Sequence, residues 1–473
     1  MTELLTIEEA SDALRSGQVT SIDLTESSLS RIEAVDERVG AFIAVNDSAR
    51  IQAQRADVEL TAKMDRGPLH GIPFGLKDIL ATSDQPTTAN SLVLDTAWGN
   101  GYDSVVTERV RNAGAIIMGK LVMSEFAIGT PDSEKPFPIP RNPWDLERSP
   151  AGSSSGTGIA ISTGMVLGGI GTDTGGSVRS PASWNGHTGL KVTFGRVPKW
   201  GCVPLGYSLD SIGPMARSAW DCGAILNVIA GYDSRDITAS REPTVDYLDG
   251  IKDGISGLRI GIPVPYFFDH PEVAIDQRVA VEKVIQQLEA LGANARQVEL
   301  PHSDIAKEAN TITMLSEAFA YHHPDMGSAR WSEYGRNTRM TIGSASLFAA
   351  SDYVQAQRFR SWYTREAAKL MNEVDVLVTP THPTTAALSA EMGDPLRRPK
   401  QPSFTGPFNL LGYPALALPA GFSSSGLPFS AQIIGAPFSE ALLLRAGYAY
   451  QQTTDWHLRV PPIVTAGENN ADN

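Results

Sequence analysis

The hydrophobic pattern of the chain changes after Gly67-Pro68. Residues 1–65 predict helices, because Thr6 to Glu9 has a capping-box pattern and apolar residues recur at helical spacing from Ser21 to about Val35. Beyond Pro68, short apolar runs alternate with helical stretches, which is typical of an α/β fold. The predicted buried strands are Ile72–Leu76, Ala115–Met118, Leu258–Ile262, Val374–Thr379 and Ala415–Leu418. The predicted helices are Ser104–Ala113, Val273–Leu291, Tyr353–Asn372 and Phe438–Gln452.

The domain organisation follows from the absence of a clear linker. No proline-rich or charge-dense stretch divides the chain, although its 473 residues would allow two domains. The polar stretch Asp233–Ser256 is the best boundary candidate, but it equally suits a surface excursion within one domain. We predict an N-terminal helical segment (1–65) packed on the core, a single α/β domain (66–462) and a flexible tail (463–473).

Composition and charge narrow the class of partner. The chain is 42% hydrophobic and 19% charged, which is typical of a globular protein. Its 39 basic and 53 acidic residues give a net charge of −14, which repels phosphate backbones and argues against nucleic acid as a direct ligand. Two cysteines are too few for a disulfide framework, and the acidic N-terminus lacks an export signal, so we expect a cytoplasmic location.

A 24-residue stretch without charge, Ser149 to Thr172, is long enough to raise the question of a membrane span. Glycine, serine and threonine interrupt it, and only Ile159 to Ile170 is markedly apolar. The stretch therefore predicts a buried core segment between Gly/Ser loops where backbones approach closely, and no membrane contact.

Two familiar motifs occur only in incomplete form, and a third is absent. Gly114 to Leu121 nearly matches a P-loop, but Leu121 replaces the hydroxyl residue that would hold magnesium. The glycines from Gly169 to Gly176 have the wrong spacing for a dinucleotide loop, and no strand-then-helix context is evident there. No zinc-hydrolase motif is present, so we predict neither a metal nor an organic cofactor.

Gly152 to Gly156 matches the Gly-x-Ser-x-Gly nucleophile elbow of α/β-hydrolases, with Ser154 as its serine. Such an elbow follows a buried strand, whereas a polar loop broken by prolines, Arg141 to Pro150, precedes this serine. An esterase using Ser154 therefore remains an alternative of a different class.

A more informative combination joins this serine loop to Gly171–Arg179 and to Gly71–Asp78. Ser177 offers a hydroxyl, and the glycines before it can turn backbone N–H groups toward one point. Lys77 has apolar neighbours that disfavour its ammonium form, so it can act as a general base. The alternative for Lys77 is a structural ion pair with Asp78 or Asp173.

These three segments, in this order, resemble the amidase signature family of serine hydrolases. Further family-like sequences extend over nearly the whole chain: Leu69–Pro73, Ser124–Ala127, Arg141–Trp144, Gly189–Lys191, Gly195–Val197, Asp210–Pro214, Val374–Thr381 and Gly412–Ala415. The resemblance implies an α/β fold with a large mixed β-sheet covered by helices on both faces.

The resemblance also implies a role for each site residue. Ser177 corresponds to the nucleophile, Lys77 to the base, and Ser153 to the middle serine that lies at a cis peptide bond and relays the proton. Ala127 and Ser153 correspond to residues that contact the substrate. The oxyanion hole corresponds to the backbone N–H groups of Thr174, Gly175, Gly176 and Ser177, and the supporting residues to Ser154, Asp173 and Arg179.

The expected activity is cleavage of the C–N bond of a small acyl or aryl amide through an acyl-enzyme, by a monomer or homodimer. Carbamate or ureide hydrolysis is the alternative within the family. The glutaminase subunit of a tRNA-dependent amidotransferase ranks lower, because Ser180 follows Arg179 where that subunit usually has glutamine, and because the serine loop departs from its pattern.

Overall fold

A single mixed sheet of 11 strands organises the structure, a computed structural model that describes residues 4–392 and 402–465. The strands are β1 Phe42–Val45, β2 Pro73–Lys77, β3 Ile116–Leu121, β4 Gly168–Asp173, β5 Thr188–Lys191, β6 Ser211–Ala216, β7 Arg259–Pro263, β8 Asn294–Val298, β9 Val376–Pro380, β10 Ala415–Phe422 and β11 Pro428–Gly435. Their order across the sheet is β1-β3-β2-β4-β6-β5-β10-β11-β9-β7-β8. Pairs β2/β3, β2/β4, β7/β8 and β7/β9 are parallel and the other neighbours are antiparallel.

Helices pack against this sheet. They are α1 Ile7–Ser16, α2 Ser21–Val39, α3 Ala49–Thr61, α4 Val105–Asn112, α5 Ser155–Ser162, α6 Arg179–Asn185, α7 Ala219–Ile229, α8 Val264–Phe267, α9 Ile275–Ala290, α10 Ser303–His322, α11 Arg336–Ser344, α12 Ala350–Glu373, α13 Ser389–Met392, α14 Gly406–Leu411 and α15 Glu440–Gln451. All five predicted strands and all four predicted helices are present, with boundaries shifted by a few residues.

Both faces of the sheet are covered, as the family resemblance implies. Every residue of the central strands β2, β3 and β4 is buried. Along β3 the side chains alternate between two hydrophobic clusters: Ile117 belongs to one, and Ile116 and Met118 belong to the other. A strand contributes to two separate clusters in this way only where apolar layers cover both faces of the sheet.

The N-terminal segment is not wholly helical. Helices α1 and α2 begin at the capping boxes of Thr6 and Thr20, but β1 follows them and pairs antiparallel with β3 at the edge of the sheet. The segment thus contributes a strand to the large sheet as well as helices that pack on it. At the C-terminal end of the described residues, Ile463 and Val464 are buried in the hydrophobic cluster that contains Ile116 and Met118, so the predicted tail does not begin at residue 463. Residues 466–473 lie outside the described residues.

The charge-free stretch folds into two short elements, α5 and β4. This matches the prediction of a buried core segment, since every residue from Ser153 to Asp173 is buried. Among the described residues, no helix combines the length and the apolar character that crossing a bilayer requires.

Candidate active site

Lys77 ends strand β2 with its side chain fully buried beside two hydroxyl groups. Its Nζ donates hydrogen bonds to Ser153 Oγ and to Thr172 Oγ1, both at 2.7 Å. Burial lowers the pKa of Lys77 to about 7, although Cys202, Asp210 and Asp173 nearby act in the opposite direction. Near neutral pH a large fraction of this lysine is therefore the free amine, the form that can accept a proton.

The two carboxylates that could have paired with Lys77 pair elsewhere. Asp78 Oδ1 lies 3.1 Å from Nζ of Lys120, and both side chains are buried. Asp173 Oδ2 lies 3.0 Å from Nε of Arg179, also fully buried. Among the described residues Lys77 has no ion pair. Its contacts therefore differ from the alternative in which Lys77 forms a structural ion pair with Asp78 or Asp173.

Ser153 lies in the loop that leads into helix α5, and the peptide bond between Gly152 and Ser153 is cis. Its backbone oxygen accepts a hydrogen bond from the N–H of Ser124 at 3.1 Å, which fixes the loop against the segment after β3. The side chain is 3% exposed, so Lys77 meets the Ser153 hydroxyl out of contact with bulk water.

Ser154, the serine of the elbow alternative, binds the backbone of strand β4. Its Oγ accepts from the N–H of Thr172 at 3.3 Å and lies 3.4 Å from the carbonyl oxygen of the same residue. The side chain is fully buried, and among the described residues the only β-pairing between residues 129 and 153 is an isolated bridge at Arg148. Ser154 thus lacks both the preceding strand and the exposure of an elbow nucleophile.

Ser177 lies between the end of β4 at Asp173 and the start of α6 at Arg179. This is a strand–turn–helix arrangement. The sequence analysis predicts no strand followed by a helix around Gly171, so the structure differs from the prediction here. Ser177 is partly exposed, whereas Lys77 and Ser153 are buried, so a ligand from solvent can reach this hydroxyl first. Among the described residues no hydrogen bond to the Ser177 side chain is present.

Asp173 and Arg179 fix the Ser177 loop from within. The Asp173 carboxylate accepts hydrogen bonds from the N–H groups of Gly176 at 2.8 Å and Val178 at 3.2 Å. Arg179 and Nδ2 of Asn409 also bind it. Burial raises the pKa of Asp173, but the charges of Arg179 and Lys191 and the hydrogen bonds from Arg179 and Asn409 outweigh burial and hold this pKa well below its usual range. Arg179 Nη2 also donates a hydrogen bond to Asn409 Oδ1 at 2.6 Å. The Asp173–Arg179 pair therefore connects the Ser177 loop to helix α14.

The geometry narrows the predicted oxyanion hole. Because the N–H of Gly176 donates to Asp173 Oδ1, it is already satisfied inside the loop. Among the described residues no hydrogen bond from the N–H groups of Thr174, Gly175 or Ser177 is present, so we propose these three as the donors to a substrate oxygen. Positive φ is found at Gly176 (+133°) but not at Gly175, so only one of the two glycines adopts the backbone conformation that disfavours side chains.

Replacing Gly176 by alanine should impair both stability and activity. A Cβ at this position would lie 2.5 Å from Thr405 Oγ1 and 2.9 Å from Ser180 Oγ, in addition to the φ of +133°. We expect a loss of about 1–3 kcal/mol in the free energy of unfolding, measured by urea denaturation. Gly175→Ala is the matched control, since its Cβ would meet nothing closer than Asn310 Nδ2 at 3.6 Å. Equal stability of the two variants would contradict this reading of the loop.

Ala127 belongs to a short 3-10 turn, Glu125–Ala127, that follows β3. Phe126 and Ala127 both have positive φ, and the N–H of Ala127 donates to the carbonyl oxygen of Ser124 at 2.8 Å. Because Ser124 also donates to Ser153, the turn lies beside the serine loop. The structure thus places Ala127 on the same side of the site as Ser153.

The sequence analysis does not predict several of the side chains that contact the site residues. Thr172 binds Lys77, and Asn409, Thr405 and Gln432 bind the Asp173–Arg179 pair or its loop. Thr172 lies within the predicted segment Gly171–Arg179, but the other three are more than 200 residues away in the sequence. Among the described residues no group of three metal-ligating side chains occurs, and both cysteines are free.

Comparison with known proteins defines the class. A family model described as Amidase matches residues 23–444, so the chain belongs to the amidase signature family. A glutamyl-tRNA(Gln) amidotransferase subunit of Chloroflexus aggregans is 40% identical over 98% of this chain and 100% of its own length. The native peptide amidase of Stenotrophomonas maltophilia has a TM-score of 0.81 and 30% identity, covering 97% of this chain and 98% of its own. A protein from a vestigial complex that reveals the origins of an s-triazine catabolic enzyme has a TM-score of 0.88 and 31% identity, covering 95% and 98%.

Proposed function

We propose that the protein is a free-standing amidohydrolase that cleaves the C–N bond of a small carboxamide through an acyl-enzyme on Ser177. The observation that carries the proposal is the buried contact between Lys77 Nζ and Ser153 Oγ at 2.7 Å. A lysine with a pKa of about 7 is a base at neutral pH, and the serine beside it can pass on a proton. Membership in the amidase family supports the same reaction class.

The proposed mechanism combines the Lys77–Ser153 contact with the roles that the family resemblance implies for Ser153 and Ser177. Neutral Lys77 takes the Ser153 proton while Ser153 takes that of Ser177, and Ser177 Oγ attacks the amide carbonyl. Backbone N–H groups of Thr174, Gly175 and Ser177 stabilise the oxyanion. The proton returns through Ser153 to the leaving nitrogen, and the C–N bond breaks. Water, deprotonated by the same relay, then attacks the acyl-enzyme, and the acid leaves with Ser177 restored.

Glutaminase activity within a larger complex is a second candidate, favoured by the 40% identity to the Chloroflexus amidotransferase relative over nearly both full lengths. From the sequence alone this activity ranks below a free-standing enzyme, and that relative gives it direct support. Ser180, in place of the usual glutamine, remains the point against it. Its N–H donates to the carbonyl of Gly176 at 2.7 Å, so the departure lies next to the nucleophile loop.

One experiment separates the candidates. The purified protein is incubated alone with anilides, primary amides, carbamates, a ureide and free glutamine, and the acyl group on Ser177 is trapped and located by mass spectrometry. Hydrolysis of an anilide or primary amide, with the acyl group on Ser177, is the expected result. Turnover of glutamine alone would replace the amidohydrolase proposal by the glutaminase candidate, and an acyl group on Ser154 would overturn the mechanism.

Activity should rise with pH through the pKa of Lys77. Because the base must be neutral, kcat/KM should be low below pH 6 and increase through an acid limb with an apparent pKa of about 7. Lys191→Met is the control. Burial also lowers the pKa of Lys191 to about 7, but its Nζ binds the carbonyl oxygens of Val192 and Tyr413 and contacts no site serine.

The measurement is kcat/KM between pH 5 and 9 for the wild type and Lys191→Met. Both should show the same acid limb. A wild-type kcat/KM that does not change with pH would contradict a lysine base. If Lys191→Met lost the acid limb, that limb would report the titration of Lys191 and not of Lys77.

A further inference from the structure

Thr174, the first residue after strand β4, is held at its side chain by Asp210. Asp173 and Ser211 are register partners in the antiparallel pair β4/β6, so the residues next to them, Thr174 and Asp210, face each other at the end of the ladder. Thr174 Oγ1 donates a hydrogen bond to Asp210 Oδ1 at 2.5 Å, and both side chains are buried. This contact fixes Thr174 against the segment that leads into β6.

The Asp210 carboxylate is itself fixed by the backbone. Its Oδ1 also accepts a hydrogen bond from the N–H of Gly206 at 3.0 Å, and its Oδ2 accepts one from the N–H of Leu205 at 2.9 Å. The turn at Gly206 lies close to Thr174, since a Cβ on Gly206 would lie 2.9 Å from Thr174 Cγ2. Among the described residues Asp210 has no ion pair, so these hydrogen bonds are what stabilise its buried carboxylate. The position of Thr174 is therefore closely defined.

The backbone on either side of Thr174 is held by two carboxamides. The carbonyl oxygen of Asp173 accepts a hydrogen bond from Asn409 Nδ2 at 3.2 Å, and that of Thr174 accepts one from Asn310 Nδ2 at 3.5 Å. The peptide bonds of this loop are trans, so each carbonyl oxygen and the N–H of the next residue point in opposite directions. The N–H of Thr174 thus points away from Asn409, and the N–H of Gly175 points away from Asn310.

Both N–H groups therefore point away from the same pair of helices. Asn310 belongs to α10 and Asn409 to α14, and these two helices pack against each other. Consecutive backbone N–H groups that are directed to one side of a chain form an anion-binding concavity. An oxyanion hole requires such donors to be in place before the substrate binds, and the contacts of Asp210 and the two carboxamides do not depend on a substrate.

We propose that Asp210 and Asn310 are positioning residues of the oxyanion hole. Asp210 fixes Thr174 through its hydroxyl, and Asn310 fixes the peptide plane that follows Thr174. Together they set the directions of the N–H groups of Thr174 and Gly175, and neither side chain has to touch the substrate. This inference rests on the proposed function, since it concerns the same site.

Removing the Thr174 hydroxyl tests the role of Asp210. Thr174→Val keeps the shape of the side chain and the backbone N–H but loses the contact with Asp210 Oδ1. Because the N–H groups act on the charge that develops in the transition state, kcat should fall roughly tenfold or more while KM stays within about twofold. Thr174→Ser restores a hydroxyl and should recover most of the lost kcat. Thr163→Val is the control with unchanged kcat, because the buried Thr163 hydroxyl donates to the carbonyl oxygen of Ile159 at 2.8 Å and contacts no site residue.

Asn310→Leu is a second, independent variant, for the case that Thr174→Val does not fold. It removes the donor to the Thr174 carbonyl oxygen and should lower kcat in the same way, with KM little changed. The substrate is the one hydrolysed fastest among acetyl, butyryl and benzoyl 4-nitroanilide, and the aldehyde of the same acyl group is the second probe. Addition of Ser177 Oγ to the aldehyde carbonyl gives a tetrahedral adduct whose oxygen occupies the oxyanion hole. The affinity for this aldehyde should therefore fall in parallel with kcat/KM in both variants.

A purely structural role would lower the midpoint of thermal unfolding without changing the kcat of the folded enzyme. A folded Thr174→Val or Asn310→Leu enzyme whose kcat is within about twofold of the wild type would overturn the inference. So would a loss that appears in KM alone, or an unchanged affinity for the aldehyde. If the wild type hydrolyses no anilide and Ser177 is never acylated, the proposed function fails first, and this inference with it.

Discussion

Replacing Lys77 by alanine should lower kcat by roughly 10³-fold or more at pH 7. The variant loses the base in contact with Ser153, whose hydroxyl lies 2.7 Å from Lys77 Nζ. Because Lys77 is fully buried, the alanine variant also leaves a cavity. Lys77→Met fills most of that cavity, so it measures the loss of the amine with less change in packing. Initial rates on an anilide substrate and thermal unfolding of both variants give the measurement.

Ser177→Ala should abolish turnover to the same extent, and Ser153→Ala should leave at most weak residual activity. Residues that act as one relay are not additive, so the double variant Lys77→Ala/Ser177→Ala should be no slower than either single variant. Full activity in Lys77→Ala or Lys77→Met would remove lysine from the mechanism. A Ser177→Ala enzyme that still forms an acyl-enzyme would remove the nucleophile.

The fold could be predicted where the hydrophobic pattern is local. Strands such as β9 are continuous apolar runs, and helices such as α9 have clear periodicity, so both appear where the sequence indicates them. Strand β1 was missed because its four residues follow a long helix and pair with β3 only through the tertiary structure. Nothing in its own sequence distinguishes it from the helices around it.

Strand β4 was missed for a different reason. Half of its residues are glycine, which disfavours strands in isolation. The structure explains these glycines by close packing: a Cβ on Gly169 would lie 2.9 Å from Thr157 Cγ2 of α5, and one on Gly171 would lie 2.8 Å from Ser154 Oγ. The helix that carries the serine loop thus lies directly on the strand that leads to Ser177.

The candidate site could be predicted only as far as its residues are close in sequence or match a family pattern. The segments of Lys77, Ser153 and Ser177 were identified in this way, and the structure brings Lys77 and Ser153 into contact. The engagement of the Gly176 N–H by Asp173 depends on an exact orientation within the folded loop. No sequence pattern encodes that orientation.

Replacing Arg179 by methionine should destabilise the protein by about 3–5 kcal/mol, because it leaves the Asp173 carboxylate buried without its cation. Arg179 is fully buried, with Nε 3.0 Å from Asp173 Oδ2 and Nη2 2.6 Å from Asn409 Oδ1. That loss is a large share of the roughly 5–15 kcal/mol that typically separates folded and unfolded states. The Ser177 loop would lose its support at the same time, so activity should fall even where the protein remains folded.

The matched control is Arg259→Met, which breaks a pair with Asp375 on the surface, where the two side chains are 50% and 30% exposed. Such pairs contribute only about 0–1 kcal/mol, so this variant should unfold at nearly the wild-type urea concentration. The double variant Asp173→Asn/Arg179→Met removes both buried charges and should recover part of the stability lost by Arg179→Met alone, because no unpaired carboxylate remains. Equal midpoints for Arg179→Met and Arg259→Met would show that the buried pair does not hold the loop. A double variant less stable than the single one would show that the hydrogen bonds of Asp173 to Gly176, Val178 and Asn409, rather than its charge balance, dominate.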